Sequence, residues 1–326
     1  MNAQILKRVV RAIAERSQGD LELLAQKLVE DERRTGHTKL AAELDSILRS
    51  AKPSANMATS IVRSLSQVPT SRRNGELLAT TISREFLQHN MVLPQATEDR
   101  FKRIEAEFAA RDRLLAFGLT PRKTILLYGP PGCGKSLGAK RLAWNVGLPL
   151  VKVRFDALIS SYFGESAANL RSIFEAAKER ACVLLLDECD FIARSRTATK
   201  DIGEASRIVN SLLQLMEDYD APGLLVATTN IQQSLDEAMF RRFDEIIEVP
   251  LPGMPEIERL LWMTISAIEV EQNIDWREIS TLLLGSSAAA VVKFAQDTAK
   301  AVILSGRRVL THDHVQQAIV EHRKEL

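Results

Sequence analysis

Cysteine is scarce. Cys133, Cys182 and Cys189 are the only three in 326 residues. Thiols this few and this scattered exclude a disulfide framework and make a reducing, cytoplasmic compartment the expected setting. Long apolar runs are also missing: no stretch approaches the ~20 residues that a membrane-spanning helix needs, so no membrane is expected as a partner. Nor does charge of one sign dominate, since 43 Lys and Arg against 42 Asp and Glu leave a net charge of +1. That balance removes the global electrostatic case for nucleic acid or an anionic surface as a partner. Internal repeats and low-complexity tracts are not found.

What is present suffices for two or three domains around a sizeable core, with 45% apolar residues. Ile5, Leu6, Val9, Val10 and Ile13, interleaved with Lys7, Arg8 and Arg11, form a basic amphipathic pattern. Glu15, Asp20 and Glu22 follow too soon for a transit peptide, so an ordinary first helix is expected. Residues 1–50 read as a small helical domain, with Leu21, Leu24 and Leu28, then Leu40, Leu44, Ile47 and Leu48 at helical spacing around Gly36. Residues 51–93, with Pro53, Pro69 and the solvated pair Arg72-Arg73, read as a linker.

From 94 to 252 a charged helical segment leads through Gly118 into apolar runs at 125–128, 150–153, 183–186, 224–227 and 246–249, alternating with helical stretches. This is the α/β pattern of a parallel sheet with helices on both faces, whose ligands sit at the carboxyl ends of the strands. Beyond Pro252-Gly253 no strand pattern returns. Residues 253–326 read as a lid of four helices, with Ser286 or Ser287 capping the third and Thr311 the fourth. His312 and His314, without an acid partner at metal spacing, read as surface residues.

The first strand runs into Gly129-Pro130-Pro131-Gly132-Cys133-Gly134-Lys135-Ser136, and a helix follows from Leu137. Strand, glycine loop, helix is the context a phosphate-binding loop requires. The loop from Pro130 to Leu137 would cradle phosphates on the backbone N–H groups that follow its two prolines, Lys135 would add a point charge, and Ser136 would be a ligand for Mg²⁺. The run Val183 to Leu186 ends in Asp187-Glu188, a Walker B pattern in which Asp187 holds the metal and Glu188 polarises the attacking water. Asn230, ending Thr228-Thr229-Asn230, is a candidate for orienting that water or touching the γ-phosphate, although the tripeptide is also good turn chemistry.

With Arg241-Arg242 just ahead of the last strand, these motifs resemble the AAA+ ATPases, specifically the AAA subgroup with a second region of homology. The resemblance covers about two-thirds of the chain, from Pro94 onward, and implies a P-loop NTPase fold, ATP and Mg²⁺ as ligands, and a homo-oligomer, a hexamer in most relatives. It also implies that the arginine pair reaches a neighbouring subunit's nucleotide. The adjacent pair matches the katanin, spastin and ESCRT-disassembly variant, which leaves open whether Arg241 or Arg242 is the main finger. Tyr162 and Phe163, ahead of Gly164-Glu165-Ser166, match a pore element that grips an extended polypeptide, an aromatic ring being able to contact any peptide. The stretch 196–203 is a candidate second pore loop, and Glu204 and Arg207 match positions that bridge subunits.

Three departures matter. Cys133 replaces the usual Thr and, at a helix N-terminus, is expected to be oxidation-sensitive. Ala290 stands where the subgroup has an acid, with no sensor-2 arginine, so small side chains and backbone make the lid contacts. The adenine-side Asp-Ile-Gly-Gly is missing, with Phe117-Gly118-Leu119 as a candidate substitute. The whole most resembles stand-alone bacterial AAA ATPases with a short helical N-terminal domain. The implied function is a ring motor that remodels polypeptides through a central pore, with a separately encoded protease as a candidate recipient, since no His-Glu-x-x-His zinc motif is present. A nucleotide-gated assembly scaffold and a nucleic-acid loader are the alternatives. Intact Glu188 argues against the first; neutral charge and the aromatic pore element argue against the second.

Overall fold

The central strands are apolar on both faces, so they have to be sandwiched between helices. The computed structural model describes residues 69–70, 75–87, 89–160, 165–189, 202–230, 240–271, 274–307 and 309–322. All belong to the second of two compact units, Met1–Gln67 and Val68–Leu326. The helices expected over 1–50 and the Arg72-Arg73 pair lie outside the described residues.

The main sheet holds β1 (Ala79–Ile82), β2 (Thr124–Tyr128), β3 (Leu150–Val153), β4 (Val183–Leu186), β5 (Leu224–Thr229) and β6 (Glu245–Glu248). Their order is β1-β3-β4-β5-β2-β6. The five expected strands are all there and parallel. The sixth corrects the linker assignment: within 51–93, Ala79–Ile82 is an edge strand antiparallel to β3. Four residues, two of them threonine, give too short a pattern to stand out. The strand is nevertheless tied in by pairing and by fully buried Leu78 and Ala79.

Alternation along the strands sorts side chains into two layers. Ile125, Leu127, Val183, Leu185, Leu224 and Val226 share a core with Phe101, Ile104 and Phe108 of α1 (Gln95–Ala109) and Ala139, Leu142 and Ala143 of α3 (Lys135–Val146). A six-residue helix, α2 (Arg111–Ala116), follows α1. Leu126, Leu184, Leu186, Leu225 and Ala227 face the other way, toward Leu170, Ile173 and Phe174 of α5 (Ser166–Glu179) and Val209, Leu212 and Met216 of α6 (Ile202–Glu217). The short α4 (Phe155–Ser160) links β3 toward α5. α1 and α3 are locked together by Arg141, buried at 4% exposure over the Phe101 ring and bonded to Glu98 and Glu105.

The lid has the four expected helices: α7 (Met254–Ile265), α8 (Trp276–Leu282), α9 (Ala288–Leu304) and α10 (His312–His322). Ser287 caps α9, its hydroxyl accepting from the Ala290 N–H at 3.3 Å. Two expectations are corrected. A two-residue parallel pair, β7 (Glu269–Val270) with β8 (Val309–Leu310), lies between the helices and is too short for periodicity to register. His314 is buried, its Nδ1 2.8 Å from the Thr311 hydroxyl and its Nε2 3.3 Å from Ser305 Oγ, while His312 stays exposed.

Candidate active site

β2 ends at Tyr128, and the chain turns so sharply that glycine is required. Gly129 has φ +142°, and a Cβ there would sit 2.3 Å from the Val249 carbonyl oxygen. Gly132, at φ +74°, passes so close to the lid that a Cβ would lie 2.7 Å from Ser287 Oγ. Gly134, at φ +96°, is the N-cap of α3 and brings no side chain to occupy the first-turn N–H groups. Those donors are left for an anion. Gly129→Ala is expected to cost about 1–3 kcal/mol, because the blocking atom is backbone and cannot swing aside. A thermal unfolding midpoint equal to wild type would refute the close approach.

Lys135 is buried, and its ammonium donates to the carbonyls of Gly129 at 2.9 Å and Pro130 at 2.8 Å, inside the loop's own curve. The next residue meets the second motif. Ser136 Oγ donates to Asp187 Oδ1 at 2.8 Å, and so does the Thr228 hydroxyl at 2.7 Å. Lys152 Nζ holds the other oxygen, Oδ2, at 2.6 Å. Burial pushes the Asp187 carboxyl up, but hydrogen bonds from Lys152, Thr228 and Ser136 outweigh it and hold the group below its ordinary value. It is a carboxylate at neutral pH.

Glu188 is exposed and has φ +58°, the one positive φ at a non-glycine among the described residues. Its N–H donates to Thr228 Oγ1 at 2.9 Å, which fixes the turn. Backbone held in this sparsely populated region is common where a side chain must be aimed. Asn230 is half-buried and follows β5 directly, two residues beyond Thr228, at the same edge of the sheet.

The donor set fits a hard divalent cation. A hydroxyl and a carboxylate meet at 2.8 Å beside the first turn of α3, which Gly134 leaves without a side-chain cap, and oxygen-only donors of this kind suit Mg²⁺.

Not every candidate gathers here. Arg241 and Arg242 lie at the far end of the sheet: the Thr124 hydroxyl, at the start of β2, donates to the Arg242 carbonyl at 3.0 Å. Asp244 closes the same corner, its carboxylate accepting from the Lys123 and Thr124 N–H groups at 2.8 and 2.9 Å. Arg242 is ion-paired to Glu217 at 3.1 Å, and Arg241 is exposed. Tyr162, Phe163 and Gly164 lie outside the described residues, as does 196–201; Glu204 and Arg207 fall on α6, without described side chains.

Two further expectations are corrected. Phe117-Gly118-Leu119 is exposed ahead of β2, at the amino edge of the sheet, and so cannot line the base side of the phosphate loop. Met91 and Val92 are there instead: a Cβ on Gly134 would lie 3.7 Å from Met91 Cε, and Val92 packs against the lid core. Cys133 is not activated. Burial raises its pKa by more than the Lys135 charge and the Ala288 backbone lower it, so the thiol stays protonated and shielded at 5% exposure. The small-residue lid contact is found, the Ala289 N–H donating to the Gly132 carbonyl at 3.0 Å. Thr228 and Lys152 were missed as site residues. The available signal was face parity, because both share the α3 side of the sheet with Asp187.

Known proteins match this reading. The model of the ATPase family associated with various cellular activities (AAA) matches residues 125–251, a span that holds the phosphate loop, Asp187, Glu188, Asn230 and both arginines. The chain is also 32% identical over 308 residues to the "uncharacterized AAA family ATPase y4kL" of Sinorhizobium fredii, covering 94% of this chain and 91% of that one. The protein binds nucleotide and hydrolyses ATP, and the chain belongs to the AAA family of ATPases.

Proposed function

We propose that this ATPase works as a ring, a hexamer by resemblance, in which each nucleotide site is completed by an arginine of the next subunit. The supporting observation is the placement of Arg241 and Arg242 at the amino end of β2, while the phosphate loop leaves its carboxyl end. Five residues of strand separate them by roughly 13 Å, farther than an arginine side chain extends. The pair cannot serve its own loop. Arg241 is the more exposed of the two and is taken as the finger, with Arg242, ion-paired to Glu217, beside it.

Within such a site Ser136 and Asp187 would hold Mg²⁺, which would supply charge neutralisation at the phosphates. Lys135 and the N–H groups of the loop bind the β- and γ-phosphates, Glu188 takes a proton from the attacking water, and Asn230 orients that water. Thr228 acts one step back, fixing the Asp187 carboxylate with its proton and the Glu188 backbone with its oxygen.

The work done is pulling an extended polypeptide past Tyr162 and Phe163, with a separately encoded protease as a candidate recipient. All three cysteines are buried and outside any disulfide, which supports a reducing, cytoplasmic setting; no helix among the described residues is long and apolar enough to cross a membrane. The test is mass measurement by sedimentation in ATP, followed by unfolding of a tagged reporter. A ring-sized particle is expected, and one that stays at monomer mass overturns the reading. Tyr162→Ala is expected to spare ATP turnover while reducing reporter unfolding by about tenfold or more, as for an anchor aromatic. Equal loss of both would make Tyr162 a core residue.

A further inference from the structure

Lys152 has no role in the chemistry above, yet its ammonium lies 2.6 Å from the carboxylate assigned to the metal. The contact follows from the register. Lys152 pairs with Leu185 on the neighbouring parallel strand, and Leu185 faces the α3 side of the sheet. Asp187 is two residues beyond Leu185 and therefore on the same face. Thr228 reaches that face in the same way, two residues beyond Val226. Three strand ends thus converge beneath the first turn of α3, where Ser136 sits, and one of them contributes a positive charge.

The two partners differ in freedom. The Asp187 side chain is 10% exposed and its Oδ1 already receives two hydroxyl protons, whereas the Lys152 side chain is 46% exposed. An unbranched, half-exposed lysine can withdraw into water at little cost, and the strand beneath it need not move. A divalent cation that took up Asp187 would meet an ammonium of like charge on Oδ2, and one of the two has to give way.

We propose that Lys152 is a built-in competitor of the divalent cation: it neutralises Asp187 when the metal is away, must be displaced when the metal binds, and so holds the metal affinity of the site low. This rests on the assignment of Asp187 as metal ligand. The consequence is that metal would bind well only together with phosphate charge, which compensates for the displaced ammonium.

The experiment measures Mn²⁺ binding by the electron paramagnetic resonance of free Mn²⁺, on the full chain, with and without ADP. Lys152→Met, similar in length and uncharged, is expected to bind Mn²⁺ about tenfold more tightly (~1.4 kcal/mol) than wild type. The gain should be larger without ADP than with it. Lys152→Arg keeps the charge and is expected to bind as wild type does. Lys152→Gln repeats the comparison should the methionine variant fail to fold. Unchanged or weaker binding by the neutral variants overturns the proposal and leaves Asp187 as metal ligand. Absence of Mn²⁺ binding by wild type with ADP would remove the metal assignment itself, and the competitor role with it.

Discussion

Glu188→Gln is expected to lower ATP turnover by about 10²–10⁴-fold, the usual contribution of a positioned general base, while nucleotide affinity is unchanged. The substitution keeps the shape of the side chain and removes its basicity. Two observations make the effect specific to this residue. Its backbone is held at φ +58° by the bond from its N–H to Thr228, so the side chain is directed by the turn. Asp187 beside it has both oxygens committed, to Ser136 and Thr228 on one and Lys152 on the other, and cannot stand in as base. Phosphate release measured against fluorescent-nucleotide titration separates the two quantities. Turnover close to wild type would remove Glu188 from the chemistry and leave the attacking water to another base.

Arg241→Ala should have a comparable or greater effect, since an arginine supplied by a partner contributes about 10³–10⁵ in rate in related nucleotide hydrolases. The distinguishing result comes from mixing. A Glu188→Gln subunit retains its finger, and an Arg241→Ala subunit retains its base. If the arginine acts on the neighbour, a mixture of the two inactive variants contains some complete sites, and activity should return to a fraction of wild type. Were the arginine to act within its own subunit, no mixing ratio would restore anything. Arg242→Ala should behave differently, because its guanidinium is bonded to Glu217. Loss there displaces the corner that carries Arg241, and Glu217→Ala should reproduce part of the defect.

The phosphate loop, the two acids and the five parallel strands were legible in the sequence because each is written in consecutive residues. Gly129 to Ser136 states its own turn, and Val183 to Leu186 states its own burial. What was not legible depends on which strand lies beside which. Thr228 reads as turn chemistry until β5 is set against β4, and only then does its hydroxyl reach Asp187. Lys152 is one charged residue within the strand run 150–153 and carries no signal of its own until β3 is set on the other side of β4. Phe117-Gly118-Leu119 precedes the phosphate loop in sequence, but proximity along the chain does not say which end of a strand a segment occupies. Cys133 follows the same rule. A helix N-terminus lowers a thiol pKa only while water or a cation can support the charge, and burial there opposes it.

One strand ties the two halves of this chemistry together. β2 is buried along four of its five residues and held on both sides, by β5 and by β6. At one tip it carries the loop that grips phosphate; at the other, Thr124 is bonded into the corner that presents Arg241. A stiff rod clamped this way transmits displacement with little loss. In a closed ring, a small shift at one subunit's nucleotide would therefore arrive at the next subunit's nucleotide as a movement of its incoming arginine. The order in which sites fire would then be a mechanical property of the sheet, with timing passed from hand to hand around the circle.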